Sequence, residues 1–165
     1  MKQEPHQIVW DWYKQFSHDP ADEDRRLSRN FFRRITSTEL AEFKDEFGPI
    51  LPPTYEKFLL EIGSGCLKED ARAKVAASQY NEFLSLREIT SIMRREAIDG
   101  ISADIIAGGE LPFFLEFADS VFVIDQMTGE IHYPGFVEQK YADTFSEFLS
   151  KLMVDCEFYV AKIAN

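Results

Sequence analysis

The sequence predicts an α+β fold, a mostly antiparallel β-sheet with flanking helices, on three observations. Apolar residues recur at helical spacing through residues 8–62, the apolar period changes to two from Phe113 onward, and a capped helix resumes at Thr144. At 165 residues, 45% hydrophobic and 14% aromatic, the chain has the size and apolar content of one packed domain.

The first helix spans about 8–16, with Val9, Trp12, Tyr13 and Phe16 on one face, and Ser17-His18-Asp19-Pro20 breaks it. The acids Asp22 to Asp24 lead into Arg25–Ile35, which holds five arginines and no acid. Leu27, Phe31 and Phe32 suit one helical face there, with the arginines solvated and opposed to the preceding acids. Thr36-Ser37-Thr38-Glu39 is a capping-box pattern, followed by Leu40, Phe43 and Phe47 until Gly48-Pro49 stops the helix. Pro52-Pro53 opens the next helix, where a missing N–H costs nothing, and Gly63 can close it in the left-handed conformation. Between them Tyr55, Phe58, Leu59 and Ile62 form a complete buried stripe.

Beyond Gly63-Ser64-Gly65, residues 66–77 carry no clear period. Residues 80–84 suit a strand, and a helix over 86–97 turns Ile89, Ile92 and Met93 inward. Residues 100–109 read as a loop. Phe113, Leu115 and Phe117 then alternate with Phe114 and Glu116, and Val121–Ile124 is apolar on both faces, as in a central strand covered from each side. Met127–Glu130 turns the chain into a returning strand, Ile131–Tyr133, ended by Pro134-Gly135, which makes a meander of two or three strands. Thr144-Phe145-Ser146-Glu147 is a second capping box, and Phe145, Phe148, Leu149, Leu152 and Cys156 line one side of the last helix.

Charge narrows the function classes. The net charge is −11 and the pI near 4.7, opposite to what phosphate binding requires, so nucleic acid is not expected as a direct ligand. The distribution is uneven: from Asp99 to Gln139 there are eight acids and no Lys or Arg. Two readings of that run stand side by side, a field that steers a basic partner and a charge that keeps the chain in solution. No run of about 18 apolar residues occurs and the N-terminus is polar, so a cytoplasmic protein with no membrane contact is expected. Cys66 and Cys156 lack CxxC spacing and nearby histidines and read as buried free thiols, with no metal site.

The order of motifs resembles a known family. Leu51, Pro52, Tyr55, Phe58 and Leu59, the turn at Gly63 and Gly65, Pro112, then Asp119, Phe122 and Asp125, and finally Phe145, Phe148 and Leu149, together look like the SUKH superfamily, named partly for yeast cell-wall synthesis regulators. The resemblance covers roughly residues 36–153, so 36–165 reads as a single SUKH-like domain and 1–35 as an N-terminal helical extension. Two loops depart from the pattern: Gly63-Ser64-Gly65 stands where Asn-Gly-Gly is common, and Glu116-Phe117-Ala118 where a glycine-rich bend is common. Most bacterial members of that superfamily act as immunity proteins, binding and blocking a toxin domain such as a nuclease or deaminase. Eukaryotic members look like signalling and cell-wall regulatory scaffolds. The resemblance therefore implies a non-enzymatic, cytoplasmic binding protein whose partner is a cognate toxin domain, with an intracellular regulatory scaffold as the alternative.

The residues contain no catalytic set visible from spacing. His6, His18 and His132 lack identifiable partners, Gly108-Gly109 lacks the remaining glycines and the Lys of a phosphate loop, and no cofactor is expected. An acidic inhibitor can occupy a nuclease's basic groove as a mimic of substrate charge. The candidate partner-binding residues on that model are Glu110, Glu116, Asp119, Asp125 and Glu130, then Glu69, Asp70 and Glu82, with Phe114 or Tyr133 as an aromatic anchor if exposed.

Overall fold

The computed structural model describes residues 4–25, 29–72, 80–96, 101–102, 104–117 and 120–160. Among them, five α-helices and seven strands follow in the order α1 (Pro5–Lys14), β1 (Ser17–His18), β2 (Phe31–Arg33), α2 (Ser37–Phe47), α3 (Pro53–Glu61), β3 (Ser64–Cys66), β4 (Glu82–Phe83), α4 (Leu86–Met93), β5 (Glu110–Phe117), β6 (Ser120–Asp125), β7 (Ile131–His132) and α5 (Phe145–Val154). The strands form one sheet in sequence order, antiparallel throughout except for the β1–β2 pair. The α+β class with a mostly antiparallel sheet is what the periodicity predicts. The sheet extends well past a two- or three-stranded meander.

Local chemistry sets the helix starts. Thr36 Oγ1 accepts the Glu39 amide (3.1 Å) while the Glu39 carboxylate accepts the Thr36 amide (2.7 Å), and Ser85 and Glu88 repeat the arrangement at α4. At α5, Thr144 accepts the Glu147 amide, but the Glu147 carboxylate reaches one residue further back, to the Asp143 amide at 2.7 Å. Pro53 occupies the first turn of α3. The last helix stops at Val154; Cys156 stays buried in the turn that follows it.

The Arg-rich segment corrects the sequence reading. Leu27 lies outside the described residues, and Phe31–Arg33 is a strand, not a helix face. Phe31 and Phe32 therefore point to opposite sides of the sheet: Phe32 packs edge-on against Tyr13 and Phe58 at 5.9 and 5.8 Å, and Phe31 stacks on the His18 ring at 4.4 Å. Pairing with β3 overrides the helical spacing. That pairing needs glycine, because a Cβ on Gly65 would overlap the Phe31 carbonyl and one on Gly63, whose φ is +117°, would overlap the Arg33 carbonyl. The first 35 residues thus supply two strands and part of the core as well as a helix.

One sheet face is covered by α1, α3 and α5. Phe83 and Phe113 from the sheet meet Phe58, Phe145 and Phe148 from α3 and α5, at centroid separations of 5.1–6.5 Å and mostly edge to face. Such pairs are each worth about 0.5–1.5 kcal/mol beyond the area they bury. Tyr13 ties α1 to α5 by donating its hydroxyl to the Leu149 carbonyl at 2.8 Å. Tyr55, the first residue of the α3 stripe, is fully buried, and its hydroxyl has no hydrogen-bond partner.

Candidate functional site

The sheet separates the acids that the sequence places close together. Glu110 and Asp125 face each other where β5 begins and β6 ends, and Glu130 follows in the next turn; Glu116 lies at the other end of β5. Six residues of strand between Glu110 and Glu116 amount to about 20 Å. Asp119 lies outside the described residues. Glu82 is on β4 opposite Leu115, and Glu69 and Asp70 follow β3. The eight candidates do not form one face.

Three of them are interior, which corrects the expectation of exposed contacts. Glu110, Glu116 and Asp70 are only 5%, 6% and 8% exposed. A buried carboxylate persists where donors satisfy it, and each of these has them. Glu110 accepts the Ala107 amide on one oxygen and the Gly135 amide on the other, both at 2.7 Å. Glu116 accepts the Tyr133 hydroxyl. Burial, reinforced by the Glu116 charge, pushes the phenols of Tyr133 and Tyr159 well above the usual range and raises that of Tyr141. Burial alone would raise Asp70, but the Cys156 amide at 3.2 Å and Arg72 hold it below the ordinary carboxylate range. The Cys156 thiol is pushed up to about 11, chiefly by burial and then by the Asp70 charge, which keeps it protonated and unreactive. Cys66 and Cys156 are both buried and free. Phe114 is fully buried in the core, and Tyr133 is half-buried, stacked on Phe122 at 4.6 Å, so neither is an exposed anchor.

The remaining candidates retain solvent contact. Asp125 caps its own turn by accepting the Met127 and Thr128 amides at 2.8 and 2.9 Å, and those bonds, the Thr128 one foremost, hold its carboxyl below the usual range. Glu130 meets Lys140 at 3.2 Å. Glu69 is exposed, with its backbone held by the Asn30 side chain. Glu82 is half-buried on the open side of the sheet.

Two surfaces emerge from this geometry. The first is a loop surface beside the edge strand β7. Glu110 ties the 104–109 loop to the 134–138 loop, and the Gln126 amide donates to the Gly109 carbonyl at 2.9 Å, joining the β6–β7 turn to both. From these loops three large apolar residues stand out: Met127 is 95% exposed, Phe136 61% and Val137 57%. Sequence reasoning missed them. The available signal was position, since each follows or sits within a turn, Met127-Thr128-Gly129 or Pro134-Gly135, where no strand or helix period can carry an apolar side chain inward. Asp104 and Glu138 are exposed on the same loops, and no Lys or Arg occurs between Asp99 and Gln139.

The second is a groove of about 870 Å³ on the sheet face away from α1, α3 and α5. Its floor includes Arg33, Ser64, Glu82 and Leu115 from β2 to β5, and the α4 cap, Ser85 to Glu88, forms part of its wall. Here cations and acids alternate. Arg33 lies 3.7 Å from Asp24, and Arg34, also in the lining, 3.7 Å from Asp19. Tyr80, at one end, packs against exposed Phe117 at 5.1 Å.

Among the described residues, no group of three or more His, Cys, Asp or Glu is placed to hold a metal, and no helix is long and apolar enough to cross a membrane. No curated protein and no solved structure matches the chain. Residues 34–151 match the model of the SMI1 / KNR4 family (SUKH-1), a stretch that takes in α2 through β7 and most of α5, including the Leu51–Leu60 helix start, the Gly65 contact and both surfaces' main elements. With that match spanning most of its length, the chain belongs to the SMI1 / KNR4 family (SUKH-1).

Proposed function

We propose that this protein is a non-enzymatic, cytoplasmic immunity protein that neutralises a cognate toxin domain by binding it directly and occluding its working surface. The observation that carries the reading is the segregation of charge: 12 of the 29 acids but only three of the 18 basic residues fall in residues 99–165. A surface of one sign accelerates the encounter with a partner of the other sign and disfavours partners of its own, which is how an inhibitor must act when a toxin is made in the same cell. A basic toxin domain of the nuclease or deaminase kind is the fitting partner. Family membership supports the reading through the role that the SUKH resemblance implies.

The test is genetic and then biochemical. Expression of the toxin domain encoded beside this chain's gene is expected to stop growth, and co-expression of this protein to restore it, with a one-to-one complex on gel filtration whose association slows as salt rises. Absence of rescue with every neighbouring reading frame would remove the proposal.

A further inference from the structure

We infer that the loop surface beside β7, with Met127, Phe136 and Val137 at its centre, is a docking surface for a basic segment of a partner protein that carries an apolar face. The inference rests on the binding role proposed above and adds the place and the chemistry of contact. Large side chains exposed at 95%, 61% and 57% on adjoining loops leave apolar area in water that gains free energy when covered. These loops are held in place. Glu110 satisfies the Ala107 and Gly135 amides, Asp125 caps the Met127 and Thr128 amides, and the Gln126 amide bonds to Gly109. Little ordering entropy then remains to be lost on binding.

Charge selects the occupant. The exposed acids Asp104 and Glu138 lie on the loops, Asp125 and Glu130 keep part of their surface in water, and no Lys or Arg lies between Asp99 and Gln139. Lys140, the nearest cation in sequence, is already engaged by Asp143 at 2.7 Å and Glu130 at 3.2 Å. The exposed Arg95 donates to the Ile106 carbonyl on the same loop, so the rim is acid-rich, with Asp104, Asp125, Glu130 and Glu138 against Arg95 and the engaged Lys140. An apolar centre with such a net acidic rim complements apolar side chains flanked by Lys and Arg. The buried acid Glu110 acts from beneath as a support. The groove across the sheet is nearer charge balance, with Arg33, Arg34 and Arg87 against Asp24, Glu39, Glu82 and Glu88, and offers less such complementarity.

The experiment uses the full chain and a 14-residue helical peptide of Leu and Lys as the probe, with a peptide of equal charge in which Gln replaces Leu as its comparison. The Leu/Lys peptide is expected to bind in low salt, to perturb amide resonances in residues 104–109 and 125–138, and to bind at least about tenfold more tightly than the Gln/Lys peptide. A Met127→Ser, Phe136→Ser double variant, both positions being exposed, is expected to keep the wild-type melting temperature and lose at least about tenfold in affinity. No binding, equal binding of the two peptides, unchanged affinity in the double variant, or perturbations centred on Arg33 and Tyr80 would each overturn the inference. The growth assay is independent of all these outcomes, so a wrong docking surface and a wrong neutralisation role are told apart.

Discussion

The groove and the loop surface are built from the same sheet by opposite means. The groove is floored by strands, and its charges sit beside opposite charges, Arg33 near Asp24 and Arg34 near Asp19 at 3.7 Å, so its field beyond the surface is small. The loop surface is made of turns whose geometry depends on carboxylates beneath them, and its exposed charge is predominantly acidic, with Arg95 at Ile106 and Lys140 at Glu130 as the cations beside it. Backbone pairing makes a rigid but neutral cavity, whereas carboxylate-capped loops make a surface with both a field and exposed apolar area. The second combination is the one that finds and holds a charged partner.

That contrast can be broken from either side. The largest effect is expected at the groove floor. Gly65→Ala forces a Cβ into the Phe31 carbonyl, so β2 and β3 must separate, at a cost of about 3 kcal/mol or more in urea denaturation. If Gly65→Ala folds with wild-type stability, the close approach of β2 and β3 is not a requirement of the fold. Glu110→Gln attacks the loop surface instead. One of its two contacts turns from acceptor to donor against an amide N–H, a loss of about 1–3 kcal/mol, with faster exchange expected at the Ala107 or Gly135 amide and none at Gly65. Exchange that rises uniformly would show that the loops are not separately held.

Tyr55→Phe tests the scaffold common to both. It removes a fully buried hydroxyl that has no partner while keeping the ring against Phe113 and Phe145, so stability should rise by about 1 kcal/mol with both surfaces unchanged. A loss of stability would mean that the hydroxyl is satisfied in solution. The smallest effect is set by acid. The Asp125 carboxyl is held low by the Thr128 and Met127 amides, so its folded-state value lies below its unfolded one. Its contribution is fully present above the ordinary aspartate value and is lost as pH falls through the depressed one, so protection at the Met127 and Thr128 amides should fade below about pH 4. Fading at higher pH would contradict the depressed value.

Much of this was legible in the residues. The capping box at Thr36, the Thr144 N-cap, the Pro53 start and the Tyr55, Phe58, Leu59 and Ile62 stripe report helices directly, because each depends on neighbours within a few residues. The short strands β1, β2 and β3 were not legible. Two or three residues carry no period, and Phe31-Phe32 suits a helix face as well as a strand until Gly65 is seen against it. The candidate site was legible in its sign and not in its membership. Local sequence records that Glu110 and Glu116 are acids; it does not record that the amides of Ala107 and Gly135 and the hydroxyl of Tyr133 point at them.

The sequence by itself determined the α+β class, the helix boundaries that caps and prolines set, the family, and the acidic balance of residues 99–139. Each follows from composition or from interactions spanning a few residues. Only the tertiary structure decided which acids meet solvent and which hold loops, because burial is a property of what packs across the sheet. It also turned Met127, Phe136 and Val137 from residues without a role into the centre of the loop surface, for the same reason: only the folded chain leaves them outside.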